Sequence, residues 1–343
     1  MSKSFLAQAL GIAFDRAYYF DHLRRYEIDA GCHEYVAKHL NDLDVFYTES
    51  NLGRKAYFSP DQILIGGIQP NLILGMLLGA EFIPAASGDA DISQNCWDGR
   101  SLADLPSSAA LLEHPLIRQF DEQIIAVQRA GKLVPVPPFF WDRSGRAAVH
   151  GALTTAQKFL GEQVFMDLLA EPERVRRVME WITEANIVLV RHYAQLCGIN
   201  ITGVHVGECS SCMIGPAEWE EFVAPTLERV GRELGQVRLH SCGASDHILE
   251  AAHNIKGLYS LDLGGETSLA RVRELFGPEL EVSIAPPVKL LAGGSLAELM
   301  AWTTNVLQDN QDGNLVILYH LEPQYPLPTL RAWRRELELL RRG

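Results

Sequence analysis

No stretch of this chain is apolar for long enough to cross a bilayer. The most apolar run, residues 63–83, is interrupted by Gln69, Pro70, Asn71 and Glu81, whereas a membrane helix needs about 20 predominantly apolar residues. A basic surplus is also missing: 30 Lys and Arg stand against 43 Asp and Glu, a net charge of −13. Non-specific nucleic-acid binding needs a basic face, so neither nucleic acid nor membrane is an expected partner. The six cysteines are thinly scattered over 343 residues and do not make a disulfide framework; they point to a reducing compartment, with thiols used for metal or chemistry. The opening Met1–Leu6 has no long apolar run and no cleavage site, so no secretory signal is expected and the expected location is the cytoplasm. No Gly-rich dinucleotide loop follows the early strand candidates, which counts against a doubly wound open sheet.

What the chain does have, from about residue 111 onward, is a regular alternation. Short apolar segments at 133–137, 201–206, 237–240, 258–263, 280–285 and 315–319 are separated by helical patterns, among them 114–130, 172–197, 216–234, 269–276, 296–308 and 329–341. Residues 149–169 read as two helices broken near Gly161, and 62–66 and 80–84 read as earlier strands. Strands alternating with helices imply parallel βαβ units. About eight strands in a chain of this length predict a single (β/α)8 barrel, an α/β fold over residues 61–343. Residues 1–60 read as an N-terminal helical extension, with a helix over 15–40 and a polar connection over 41–60. The loop at 86–110 is long enough to be functional.

A barrel carries its active site at the C-terminal ends of its strands. Glu208, Cys209 and Cys212 follow the strand ending at Val206, His240 and Cys242 end the next strand, Asp262 the one after, and Tyr319, His320 and Glu322 the last. The pair His240-x-Cys242 is chemically sensible because residues two apart on an extended segment face the same side, and zinc accepts imidazole together with thiolate. His320, Glu208, Cys209 or Cys212 could complete the ligand set. Cys209-Ser210-Ser211-Cys212 reads as a redox pair or as two metal thiolates. His205 points opposite to Val204 and Val206, as a partner to the metal ligands or as filler. Asp262 could position substrate or act as a base, and Phe140 and Trp141, within Phe139-Phe140-Trp141-Asp142, could wall an apolar pocket.

The segment Glu208–Pro225 with Leu239-His240-Ser241-Cys242-Gly243 resembles the uroporphyrinogen decarboxylase superfamily, and most of all its zinc-dependent corrinoid methyltransferase branch. Gly151-Ala152-Leu153-Thr154-Thr155-Ala156 and Glu171-Pro172-Glu173-Arg174-Val175 carry the same resemblance, which covers about residues 110–330. It implies a (β/α)8 barrel and a zinc ion held by a His-x-Cys pair and a later Cys. His240 and Cys242 match the pair. The later position falls near His320, where the family usually has Gly-Cys, so an imidazole stands where the relatives place sulfur. Glu208 falls where the family often carries an acidic residue close to the metal. Fewer thiolates make the ion a stronger Lewis acid. The Arg-Gln-Ala-Gly-Arg segment that grips substrate carboxylates in true decarboxylases has no counterpart here.

The expected function is zinc-dependent methyl transfer between a corrinoid (cobalamin), carried by a separate protein, and a small thiol or methylated O, N or S substrate. His240, Cys242, His320 and Glu208 are the expected metal ligands, with Cys209 or Cys212 as alternatives. Glu208 and Asp262 are the expected catalytic carboxylates, and Phe140, Trp141 and Tyr319 the expected substrate contacts. Two alternatives stand beside it: a metal-independent decarboxylase or lyase working through Asp262 and rim arginines, and a non-catalytic corrinoid- or metal-binding accessory protein.

Overall fold

The computed structural model describes residues 2–43, 61–86 and 88–340. Six strands run parallel and in chain order, β5 (Arg146–His150), β6 (Gly203–Gly207), β7 (Gln236–Ser241), β8 (Leu258–Leu263), β9 (Glu281–Ile284) and β10 (Leu315–Ile317), each hydrogen-bonded to the next. Helices connect them, the longest being Pro172–Cys197 between β5 and β6. A second parallel pair joins β1 (Gln62–Leu64) to β4 (Val134–Val136). Among the described residues no helix is long and apolar enough to cross a membrane.

Two sequence expectations are corrected. The segment at 80–84 contributes β2 (Phe82–Ile83), but it pairs antiparallel with β3 (Asp91–Ile92) in a separate two-stranded ribbon. The long loop at 86–110 thus contains a strand, and a short 3-10 turn at Leu102–Asp104. Conversely, β5 lies where no strand was expected. Its centre is Ala147-Ala148-Val149, and two alanines flanked by Arg146 and His150 carry little strand signal. The two helices expected over 149–169 begin just after it, at Ala152–Leu160 and Gln163–Ala170. Gly161 breaks them with φ +73°, a conformation that favours glycine.

The two faces of the six-stranded sheet differ sharply. Val204, Val206, Val237, Leu239, Leu261, Val282 and Ile284 form one face and are all at most 3% exposed; this face joins the hydrophobic core with the surrounding helices. The alternate positions Arg146, His150, His205, Arg238, His240, Ser260, Asp262, Glu281 and Ser283 form the other face. Period two puts every second residue of a strand on one side, and the parallel register keeps these polar residues level across the sheet.

At the N-terminus, helices span Lys3–Leu10, Arg16–Phe20 and His22–His39. The helix expected over 15–40 is divided at Asp21, whose carboxylate accepts from the backbone N–H of Leu23 and Arg24. Arg25 locks this region to the chain beyond β1: it pairs with Asp29 at 3.0 Å and donates to Gly67 O at 3.2 Å. The boundary expected at residue 60, and most of the connection at 41–60, lie outside the described residues.

Candidate metal centre

Strand register builds the site. His240 is the fifth residue of β7, level with Gly207 on β6 and Asp262 on β8. Beyond Gly207 the chain stays attached, since Glu208 N–H donates to His240 O at 2.8 Å. It then turns into a short helix over Cys209–Met213. That turn brings Cys209 back over the end of β7. Ligand atoms of Cys209, His240 and Cys242 lie within 4.8 Å of one another.

Electrostatics within this cluster are strongly coupled. Hydrogen bonds from the Cys209 thiol and then from the His240 imidazole lower Cys242 to about 4. The same bond to Cys242, reinforced by burial, raises Cys209 far above the ordinary thiol range. Burial works to lower His240, but hydrogen bonds to Asp262 and Cys242 outweigh it and lift the imidazole to about 10. At neutral pH the metal-free cluster is therefore an imidazolium beside a thiolate, with Cys209 supplying a shared proton.

Behind His240 stands a carboxylate that is itself held. Asp262 Oδ2 is 3.2 Å from His240 Nδ1 and 3.5 Å from the buried Arg238 guanidinium. Burial pushes Asp262 upward, but His240 and Arg238 overcome it and hold the carboxyl well below its usual range. Arg238, 1% exposed, also donates to Ser260 Oγ at 3.1 Å, Glu281 Oε1 at 2.7 Å and Ser283 Oγ at 2.7 Å. The Nδ1 contact with Asp262 is an ion-pair approach without hydrogen-bond alignment; a carboxylate on that side leaves Nε2 for a metal, the usual outer support of a metal-bound histidine.

The residues expected at the site divide into those brought together and those not. Cys209, His240, Cys242 and Asp262 converge, and His205 joins them: its ring stacks on His240 at 5.8 Å between centroids, and His205, His240 and Asp262 form a second group within 4.8 Å. Glu208 is level with the cluster but turned away from it. Its carboxylate is fully buried and accepts from Thr154 N–H at 2.7 Å, Thr154 Oγ1 at 2.7 Å and Leu153 N–H at 3.3 Å. These donors are the N-terminus of the helix Ala152–Leu160, a natural seat for an anion. Gly151 is needed there, because a Cβ would come within 1.9 Å of Glu208 Oε2. Burial raises Glu208 to about 7 against the lowering effect of those hydrogen bonds.

His320 is exposed and belongs to neither three-residue group. Cys212 also stays outside both groups, with its thiol donating to Cys209 O at 3.1 Å. Tyr319 is buried and packs on Trp333 at 5.7 Å between ring centroids. Trp141 is 2% exposed and donates to Pro138 O at 2.9 Å, leaving Phe140 as the partly exposed aromatic of its segment. Phe139 and Phe140 have φ +81° and +45°, a strained pair of the kind that gathers at functional sites. Sequence reasoning missed Arg238, Glu281 and His150. For Arg238 the signal was present: it sits two residues before His240 on an extended segment and must share its face.

With this geometry in place, residues 147–313 match the family model described as Uroporphyrinogen decarboxylase (URO-D). The match covers 167 of the 343 residues. All the candidate ligands but His320 lie inside it. A methyltransferase from Methanosarcina mazei shares the fold, with a TM-score of 0.63 and 16% identity over 98% of this chain and 91% of that one. No curated protein sequence matches. The resemblance to the methyltransferase branch of the superfamily is consistent with both findings.

The resemblance implies zinc, and the donor set at this site fits it. Two sulfurs and one imidazole nitrogen are a common zinc set, and three protein ligands leave a fourth position open. Tetrahedral zinc with its usual bond lengths places such donors about 3.3–3.8 Å apart. A group already within 4.8 Å reaches that by contracting about 1 Å. Cys242 is exposed, so the cluster is open to solvent on that side.

Proposed function

We propose that this chain is a zinc-dependent methyltransferase built on a (β/α)8 barrel, moving a methyl group between a corrinoid on a partner protein and a small thiol or methylated substrate. The barrel reading is supported by the eight parallel strands β1 and β4–β10, with Phe139 O accepting from Ala148 N–H to link the chain after β4 to β5. The observation that carries the functional reading is the convergence of Cys209, His240 and Cys242 at the C-terminal ends of β6 and β7, where barrels place their chemistry. In this reading Cys209 rather than His320 is the third ligand and supplies a second sulfur, supported by its closeness to His240 and Cys242.

Zinc bound there would supply Lewis acidity at its open position, toward a substrate thiol or the heteroatom of a methylated substrate. The chain's own groups prepare that position. Asp262 fixes the His240 tautomer, Arg238 fixes Asp262, and Glu208 ties the segment carrying Cys209 to the helix Ala152–Leu160. His240 and Cys209 each give up a proton when the ligand set forms. Exposed Met213 and Val288 follow β6 and β9 at the same end of the sheet and suit a docked carrier protein.

The metal-independent alternative is less well supported. Asp262 is engaged by His240 and Arg238, and the arginines of the inner face are committed to carboxylates, Arg238 to Glu281 and Arg146 to Asp142. The test is metal content by elemental analysis. About one zinc per chain is expected, lost in Cys209→Ser and retained in His320→Ala. The reverse pattern would move the third ligand to His320, and a metal-free chain fully active in methyl transfer would reject the reading.

A further inference from the structure

Each thiol of the cluster is carried by a loop, and each loop is gripped by one threonine from the strand on its outer flank. Cys209 follows β6, and Thr154 reaches its loop from the helix after β5. Cys242 follows β7, and Thr267 reaches its loop from the turn after β8. The two strands that lead to the thiols thus lie side by side, between the two that lead to the threonines.

The two hydroxyls make the same pair of bonds. Thr154 Oγ1 accepts from Ser210 N–H at 3.0 Å and donates to Glu208 Oε1 at 2.7 Å, so it holds the residues on both sides of Cys209. Thr267 Oγ1 accepts from Ser245 N–H at 3.1 Å and donates to Gly243 O at 3.1 Å, so it holds the turn directly after Cys242. A hydroxyl can donate and accept from one atom; valine, of the same shape, can do neither. Each grip has a second point. Ser210 Oγ donates to Gln157 Oε1 at 2.5 Å. Gly264, after β8, lies so close to the other loop that a Cβ there would fall 2.1 Å from Cys242 O.

We propose that Thr154 and Thr267 are positioning residues for the metal centre, their hydroxyls holding the Cys209 and Cys242 loops so that the two sulfurs are close before an ion arrives. This rests on the reading of Cys209, His240 and Cys242 as the ligand set. His240 lies inside β7 and is placed by the sheet itself, whereas both sulfurs depend on loops, the more mobile parts of a fold. Ordering a loop on binding subtracts from affinity, and a site whose ligands are fixed beforehand avoids that loss.

The test titrates Co2+ into the full chain and follows sulfur-to-cobalt charge-transfer absorption in Thr154→Val, Thr267→Val, Thr154→Ser and Thr267→Ser. Thr303 is the control: its hydroxyl also accepts one bond, from Trp333 Nε1–H at 2.9 Å, and donates one, to Leu299 O at 2.8 Å, but it lies on the helix Leu296–Asn310, which carries no candidate ligand. Thr154→Val and Thr267→Val are each expected to weaken Co2+ binding about 10–100-fold, the usual cost of losing a ligand's outer support. They should also lower the charge-transfer band toward that of Cys209→Ser and Cys242→Ser respectively. Both serine variants are expected to restore affinity and band, and Thr303→Val to leave both unchanged. Unweakened binding in either valine variant, a loss that serine does not restore, or an equal loss in Thr303→Val would overturn the positioning role and leave the metal centre standing. A chain that takes up no Co2+ would overturn the metal centre, and the positioning role with it.

Discussion

The two faces of the six-stranded sheet are built from the same strands by the same alternation, yet they obey different rules. The face carrying Val204, Val206, Val237, Leu239 and Val282 is a closed apolar layer, where each side chain contributes by being out of water. The opposite face carries Arg238, His240, Asp262, Glu281 and His205, buried and half-buried polar groups packed against one another and paired through Arg238 and Asp262,. One face holds the sheet together; the other is tolerable only as a connected network. Substitutions should therefore separate them, stability falling for one face and metal affinity for the other.

The largest effect is expected on the polar face. His240→Ala removes the shared imidazole, and zinc in the purified chain should fall from about one per chain to near zero. The apolar face should give the opposite result. Leu239→Ala, one residue away and pointing outward, should lower unfolding stability by about 2–5 kcal/mol while metal stoichiometry in the folded protein stays the same. A Leu239→Ala chain that folds normally but loses zinc would dissolve the distinction.

The pH dependence of metal binding sharpens it further. Between the Cys242 value near 4 and the His240 value near 10, the free cluster carries protons on His240 and Cys209 that the metal must displace. Affinity should rise with pH by about 100-fold per unit around neutrality, two protons per ion, and by about tenfold per unit once pH passes the His240 value, where only the Cys209 proton is left to displace,. Without metal the sign is different. The raised His240 stabilises the fold below its unfolded value of about 6.5 and loses that contribution as pH rises through about 10,. The lowered Cys242 stabilises it above its unfolded value of about 8.5 and loses that contribution as pH falls through about 4,. Competitive zinc titrations with a chelator, paired with apo-protein unfolding across pH, would read both.

A smaller effect is expected one residue further from the ion. Asp262→Asn keeps the shape but not the charge facing His240, and metal affinity should drop about 10–100-fold. A loss below twofold would mean that Asp262 serves only to balance Arg238.

Much of this contrast was legible in the sequence. The alternation Val204, His205, Val206 placed His205 opposite its neighbours, and the structure stacks it under His240. The spacing of His240 and Cys242 put both on one side of the chain, and their ligand atoms do converge. Period two also runs through Val237-Arg238-Leu239-His240, so Arg238 could have been found by the same reasoning. What was hidden depended on contacts between distant segments. Glu208 reads as a metal-side carboxylate until Thr154, over fifty residues earlier, is seen to hold it. His320 was the expected ligand and Cys209 an alternative, whereas the turn after the bond from Glu208 N–H to His240 O brings Cys209 close to His240 and Cys242. The strand β5 escaped because two of its five residues are alanine and its ends, Arg146 and His150, belong to the polar face.

The central claim is that Cys209 and Cys242 together with His240 hold one metal ion. X-ray absorption at the zinc edge on the full-length protein tests it directly. The expected spectrum has two sulfur neighbours at about 2.3 Å and nitrogen or oxygen neighbours at about 2.0–2.1 Å, reduced to a single sulfur in Cys209→Ser. A single sulfur in the unmodified protein, or a spectrum unaltered by Cys209→Ser, would contradict it.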